Sequence, residues 1–217
     1  MKNEDKNSLK HGTPPFRRTS GKLARAGRYL IFFLMLATVT SLNAQSQKKK
    51  DRIEQLNAQL TAFYEAKDWE NARISVKKLY RLYKPYRAYY YYCLGNIAEQ
   101  EGNIDEATKI YKQTISRYKK SDFGYYNLGR IYYNRGIEIQ VEANKKYYDI
   151  SDERYSAERE KSKECFRQAL PLFEKGFEIN PNYEPYPNVL RACYYQLEML
   201  DKYNEIERLI EERQNKK

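Results

Sequence analysis

The dipeptide Leu94-Gly95 returns as Leu128-Gly129, 34 residues further on, and the residues around the two copies keep the same spacing. Tyr91-x2-Leu94-Gly95-x2-Ala98 is followed by Ala107-x3-Tyr111; Tyr125-x2-Leu128-Gly129-x2-Tyr132 is followed by Ala169-x3-Phe173 and then Pro181. A period of this length marks supersecondary units that cannot bury their apolar faces alone and must stack. Tyr91, Leu94, Gly95 and Ala98 fall at i, i+3, i+4 and i+7, and Ala107, Ile110, Tyr111, Thr114, Ile115 and Tyr118 carry one stripe along a second segment. Both stripes have helical spacing. Between them, in "EQEGNIDE", Gly102 is placed to end one helix and Asn103, three residues before Glu106, to cap the next. The unit is therefore two antiparallel helices joined by a short turn. Only six glycines and five prolines follow residue 44, which favours long helices over strands and turns.

These combined spacings resemble the tetratricopeptide repeat family. A weaker unit precedes them in "KDWENARISVKKLYRLYKP", with Trp69 and Ala72, and a last one, "YPNVLRACYYQLEMLDKYNEIERLIEE", keeps the stripe and loses the glycine. The resemblance covers about residues 53–212. It implies an all-α fold, a right-handed superhelix of antiparallel helix pairs forming a solenoid of about four repeats. One unit departs from the pattern. Gly102 precedes Ala107 by 5 residues, but Gly136 precedes Ala169 by 33, so 28 residues at about 137–164 interrupt the third unit. Charged and free of glycine and proline, they predict an elongated helical hairpin. Its tip is expected at Tyr147, Tyr148, Asp149 and Ile150, with Ser151 or Asp152 capping the return helix and Pro171 kinking it.

The N-terminal region reads differently. Residues 1–44 hold eight Lys/Arg and two Asp/Glu, a balance of +6 out of the chain's +11, so the other 173 residues carry only +5. Arg17, Arg18, Lys22, Arg25 and Arg28 precede an apolar run, Leu30 to Val39, with Ala44 as a small residue for cleavage. The expected organisation is a signal peptide or signal anchor at 1–44, a polar basic linker at 45–52, and a repeat domain at 53–217. An anchor wants about 20 apolar residues, and this run is shorter. The expected location is exported, periplasmic or secreted, with a single-pass membrane anchor as the runner-up. Cleavage would remove His11, the only histidine. That would exclude Ser-His-Asp and Cys-His nucleophile systems and histidine metal sites. Cys93, Cys165 and Cys193 form no CxxC and read as small buried hydrophobes, one disulfide remaining open. No catalytic residue, metal or cofactor is expected.

In "YRAYYYYCLGN", 86–96, four consecutive tyrosines cannot share a face, because helical residues step round by about 100°. Tyr91 is assigned to the core and Tyr90 to a neighbouring repeat. Tyr89 and Tyr92 are left for the inner, concave surface, where the resemblance places ligands. Equivalent spacing extends that surface over Tyr64, Asn96, Glu99, Phe123, Tyr126, Arg130, Tyr133, Asn188 and Tyr195. Tyrosines with an asparagine and an arginine suit a peptide, offering wide contact at low entropic cost and hydroxyls for backbone groups. Burial under the insert or a neighbouring repeat is the competing use of these rings. Asn96 and Asn127 match two positions of the family's carboxylate clamp, but Tyr92 stands where a clamp lysine would be and Pro185 and Val189 replace the last basic pair. Recognition of a chaperone tail is excluded on that ground.

The expected function is a noncatalytic exported scaffold that binds a protein or peptide, or its own copy as a homo-oligomer, with the hairpin as a second contact surface. The alternatives are a membrane-anchored envelope assembly factor and a carboxylate-dependent cell-wall hydrolase; the latter lacks any Glu-Ser pair. Nucleic acid is not an expected partner, because lysines and arginines alternate with acids, as in "SAEREKSKE", and Lys48, Lys49 and Lys50 read as a solvated tether. Membrane contact is expected only through the N-terminal segment.

Overall fold

The computed structural model describes residues 20–147 and 151–215, with side chains from residue 41 onward. The chain divides into two units, 1–51 and 52–217. The first is helical from Ser20, and its residues 41–50 are all exposed. The expected linker at 45–52 is thus helix, because no glycine or proline occurs between Gly27 and Pro85 to break it. The leader residues 1–19 and the side chains of the apolar run lie outside the described residues. Among the described residues no helix is long and apolar enough to cross a membrane.

The second unit is an all-α stack of antiparallel helix pairs. Helix α1 (Ser20–Glu65) enters it at Arg52 and pairs with α2 (Trp69–Leu82). A single 3-10 turn, Lys84–Tyr86, leads to α3 (Arg87–Gln100), which pairs with α4 (Ile104–Arg117). Then come the long α5 (Phe123–Lys146) and α6 (Glu153–Ile179), followed by α7 (Pro185–Gln196) and α8 (Leu200–Gln214). From α2 onward each helix packs on the next, and α3 also meets α5. Among the described residues there is no strand.

The repeat is written into the turns as well as the helices. At the first pair Asp68 N bonds Phe63 O and Lys67 N bonds Tyr64 O; at the second Asn103 N bonds Ala98 O and Gly102 N bonds Glu99 O; at the last Met199 N bonds Tyr194 O and Glu198 N bonds Tyr195 O. This nested pattern satisfies carbonyls that the helix end would leave open, and it needs a left-handed residue. Lys67, Gly102 and Glu198 fill that position with φ of 55, 77 and 59°. Asp68 and Asn103 then cap α2 and α4 by accepting from Asn71 N and Glu106 N. Gly102 and Asn103 act as expected.

Packing repeats in the same way. Gly95 on α3 admits the Tyr111 ring of α4, and Gly129 on α5 admits the Phe173 ring of α6, both rings being fully buried. The hairpin extends this contact outward: Gly136 faces Phe166, and the Ser162 hydroxyl donates to the Gly136 carbonyl at 2.8 Å. Asp152 caps α6 by accepting from Arg154 N. Tyr147 ends α5, whereas 148–150, the rest of the expected tip, lie outside the described residues. Pro171 sits in α6 without interrupting it, on an exposed position. Tyr90 packs into the first pair, beside Leu56, Leu79 and Cys93. Tyr91 differs from its core assignment. It meets α4 but stays partly exposed, its hydroxyl donating to Gln113 Oε1 at 2.9 Å, because Gly95 has already given the space between the helices to Tyr111. Cys93 and Cys193 are buried, Cys165 is partly exposed, and all three are free thiols. Burial pushes the Cys93 thiol up to about 12.

Candidate functional site: an aromatic recess between two helix pairs

Helices α3 and α5 lie side by side as the first helices of adjacent pairs, so residues at helical spacing on each face a common recess of about 390 Å³. Helix α3 contributes Tyr92, Asn96 and Glu99; α5 contributes Phe123, Tyr126 and Arg130; the segment after α6 adds Asn180 and Tyr183. Tyr92 stacks on Phe123 with centroids 5.5 Å apart and planes 22° apart. On the other side Tyr126 meets Tyr183 edge-on at 5.2 Å and Tyr186 at 5.4 Å. Ring pairs at these separations are attractive beyond their buried area. Burial raises the Tyr92 and Tyr126 hydroxyls above the usual phenol range, so both are neutral donors at physiological pH.

The charges at the back of the recess are tied to each other. Arg130 Nη2 donates to both Glu99 oxygens, at 2.6 and 2.7 Å, and the Tyr111 hydroxyl donates to Glu99 Oε1 at 2.6 Å. Burial by itself would lower the Arg130 guanidinium, but the Glu99 carboxylate outweighs it and the net direction is upward. Burial is also the main cause that raises Tyr111, with its hydrogen bond to Glu99 adding to it. Asn127 spends its amide on the Phe123 carbonyl at 2.8 Å, and Asn180 donates to Asp122 Oδ2 at 2.9 Å. Asn96 makes no side-chain hydrogen bond among the described residues, so its donor and acceptor both remain open to a ligand.

Tyr92, Asn96, Glu99, Phe123, Tyr126 and Arg130 thus converge, and Tyr89 sits at the rim with its ring 5.8 Å from Phe123. The remaining expected groove residues lie elsewhere. Tyr64 is drawn into the first pair: its ring meets Trp69 at 5.5 Å and its hydroxyl donates to the Cys93 carbonyl. Tyr133 packs on Phe166 at the root of the hairpin. Tyr195 is 66% exposed beside Tyr203, and Asn188 lines a separate depression with Arg213. These four follow the helical spacing, but neighbours unequal in size and length occupy or open their surroundings. Sequence reasoning did not find Tyr183 and Asn180. The 28-residue insert shifts them out of step with Tyr118, whose φ of -128° and turn position Asn180 reproduces with φ of -134°. Among the described residues no group of His, Cys, Asp and Glu could hold a metal ion.

No family model and no curated protein matches the chain. Solved structures similar to it include an O-GlcNAc transferase mutant of Thermobaculum terrenum, at 12% identity and a TM-score of 0.44, covering 67% of this chain and 22% of that one. A tetratricopeptide repeat protein from Parabacteroides merdae has 20% identity and a TM-score of 0.34, covering 74% and 66%. The MamA protein has 19% identity and a TM-score of 0.34, covering 76% and 94%. The chain therefore spans about a fifth of the transferase and just under two thirds of the Parabacteroides protein. Superpositions this loose say nothing about what the chain binds.

Proposed function

We propose that the chain is a noncatalytic, exported scaffold of tetratricopeptide type that seats a peptide segment of a partner protein in the recess between α3 and α5. One arrangement carries the reading: the Tyr92–Phe123 stack stands beside the open amide of Asn96, while Glu99 and Arg130 neutralise each other. The rings offer a preordered apolar wall, the amide can pair with a ligand's backbone, and the charges of Glu99 and Arg130 already compensate each other. Glu99 is held by Arg130 and Tyr111, so its oxygens are already engaged within the protein. Export rests on the basic stretch and apolar run that precede the described side chains.

The test is selection from a library of random peptides on the full chain, followed by affinity measurement on the enriched sequences. Asn96→Ala and Tyr92→Ala are expected to weaken binding tenfold or more, and Tyr195→Ala to leave it unchanged. Enriched peptides that bind all three variants as tightly as the parent chain would place their seat outside the recess.

A further inference from the structure

Charge in the first two helix pairs is largely sorted by end. From Asn71 to Ala98 there is no Asp or Glu and there are six cations; from Ala107 to Ser121 there is again no acid and there are five. Acids cluster at the opposite end, at the turns within pairs, as Glu70, Glu101, Asp105 and Glu106, while the cationic end holds two, Glu54 near the start of the stacked part of α1 and Asp122 before α5. Where α2 and α4 finish and α3 begins, the stack presents Arg81, Lys84, Arg87, Arg117, Lys119 and Lys120. Among the described residues none of these six forms an ion pair, whereas Arg73, Arg130, Lys163, Arg191 and Lys202 all do.

Local helix electrostatics accounts for only part of this end. Arg81 and Arg117 lie in the last turns of α2 and α4, where cations complement the helix dipole. Arg87 opens α3, where a cation is unfavourable, and neither the N-cap nor the first turn of α3 is acidic, whereas α5 is preceded by Asp122. An aromatic platform holds the two central guanidinium groups in place. Tyr80 and Tyr118 share a hydroxyl contact at 3.2 Å, the Arg87 guanidinium lies 4.9 Å from the Tyr80 ring centre, and that of Arg117 lies 5.3 Å from Tyr91. Beside them Tyr86 stacks on Tyr83 and is 52% exposed.

We propose that this end of the first two helix pairs docks on a membrane surface rich in anionic lipid headgroups. Two features favour a surface over a single acidic ligand. The cations are spread across the ends of three helices instead of converging on one point, and exposed tyrosine among them suits the headgroup layer. Membrane contact then extends beyond the N-terminal segment, and it is independent of the recess.

Co-sedimentation of the full chain tests this, using neutral phosphatidylcholine vesicles and vesicles that also contain phosphatidylglycerol. Each cation near an anionic surface contributes roughly fivefold to binding. The wild-type chain is expected to bind the anionic vesicles at least tenfold more tightly, and Arg81→Glu, Lys84→Glu, Lys119→Glu, Lys120→Glu combined to lose that preference with its helicity intact. Lys84→Arg with Lys119→Arg should keep it, as should Asn96→Ala in the recess. A charge-reversed chain that retains the preference overturns the proposal. So does a wild-type chain that binds single-stranded DNA or an acidic peptide more tightly than the anionic vesicles at the same salt.

Discussion

Gly129 faces the ring of Phe173 so closely that a Cβ at residue 129 would stand 2.7 Å from Phe173 Cε1. Gly95 holds the same relation to Tyr111, at 2.4 Å. The two pairs are 44 and 16 residues apart in sequence, a difference equal to the 28-residue insert. The hairpin has therefore been accommodated without moving the contact that joins the two helices of a repeat.

Because Phe173 is fully buried, its ring has nowhere to retreat when residue 129 gains volume. Gly129→Val is expected to lower stability by about 1–3 kcal/mol, as overpacked cores do. Urea titration followed by circular dichroism checks this, an unchanged midpoint being the contrary result.

The turns make a second prediction with two signs. Lys67 and Gly102 occupy equivalent left-handed positions, at φ of 55 and 77°. A side chain there costs about 1–2 kcal/mol in strain, of which the glycine's greater unfolded freedom gives part back. Lys67→Gly should stabilise the chain by roughly 0.5–1 kcal/mol and Gly102→Ala destabilise it by about 1 kcal/mol. Thermal midpoints that move in the same direction for both would contradict the shared geometry.

Arg130 gives the third. Its partner Glu99 has a side chain only 11% exposed, so Arg130→Ala leaves a carboxylate almost out of water with Tyr111 as its remaining donor. The expected loss is about 2–3 kcal/mol. Adding Glu99→Gln should recover part of it by removing the stranded charge, and a double-mutant cycle measures that coupling.

Alkaline pH gives the fourth. Tyr111 and Tyr186 are raised far above 10.0, first by burial and then by neighbouring Glu99 and Asp122 respectively, while Tyr118 is raised to about 12, by burial and its contact with Tyr80. Below pH 10 these tyrosines are protonated in both states and contribute no pH dependence. Above it the unfolded chain releases protons that the folded chain keeps, so stability falls as pH rises. Tyrosinate absorbance and helicity should change together in one transition above about pH 10. Ionisation of these tyrosines near pH 10 with helicity intact would count against their burial.

The sequence by itself determined the helices, their pairing and their repeat, since spacing along one chain is enough to say which residues share a helical face and where Gly102 and Asn103 must turn it. It also grouped Asn96, Tyr92 and Arg130 by helical spacing, and these three line one recess. The sorting of tyrosines was decided in three dimensions. Tyr64, Tyr92 and Tyr195 carry the same side chain at comparable helical positions, yet one satisfies the Cys93 carbonyl, one stacks on Phe123 and one stands in solvent. Periodicity fixes the direction in which a ring leaves its own helix. What it meets depends on the volume and reach of residues from the next pair, and those become neighbours only when the pairs stack.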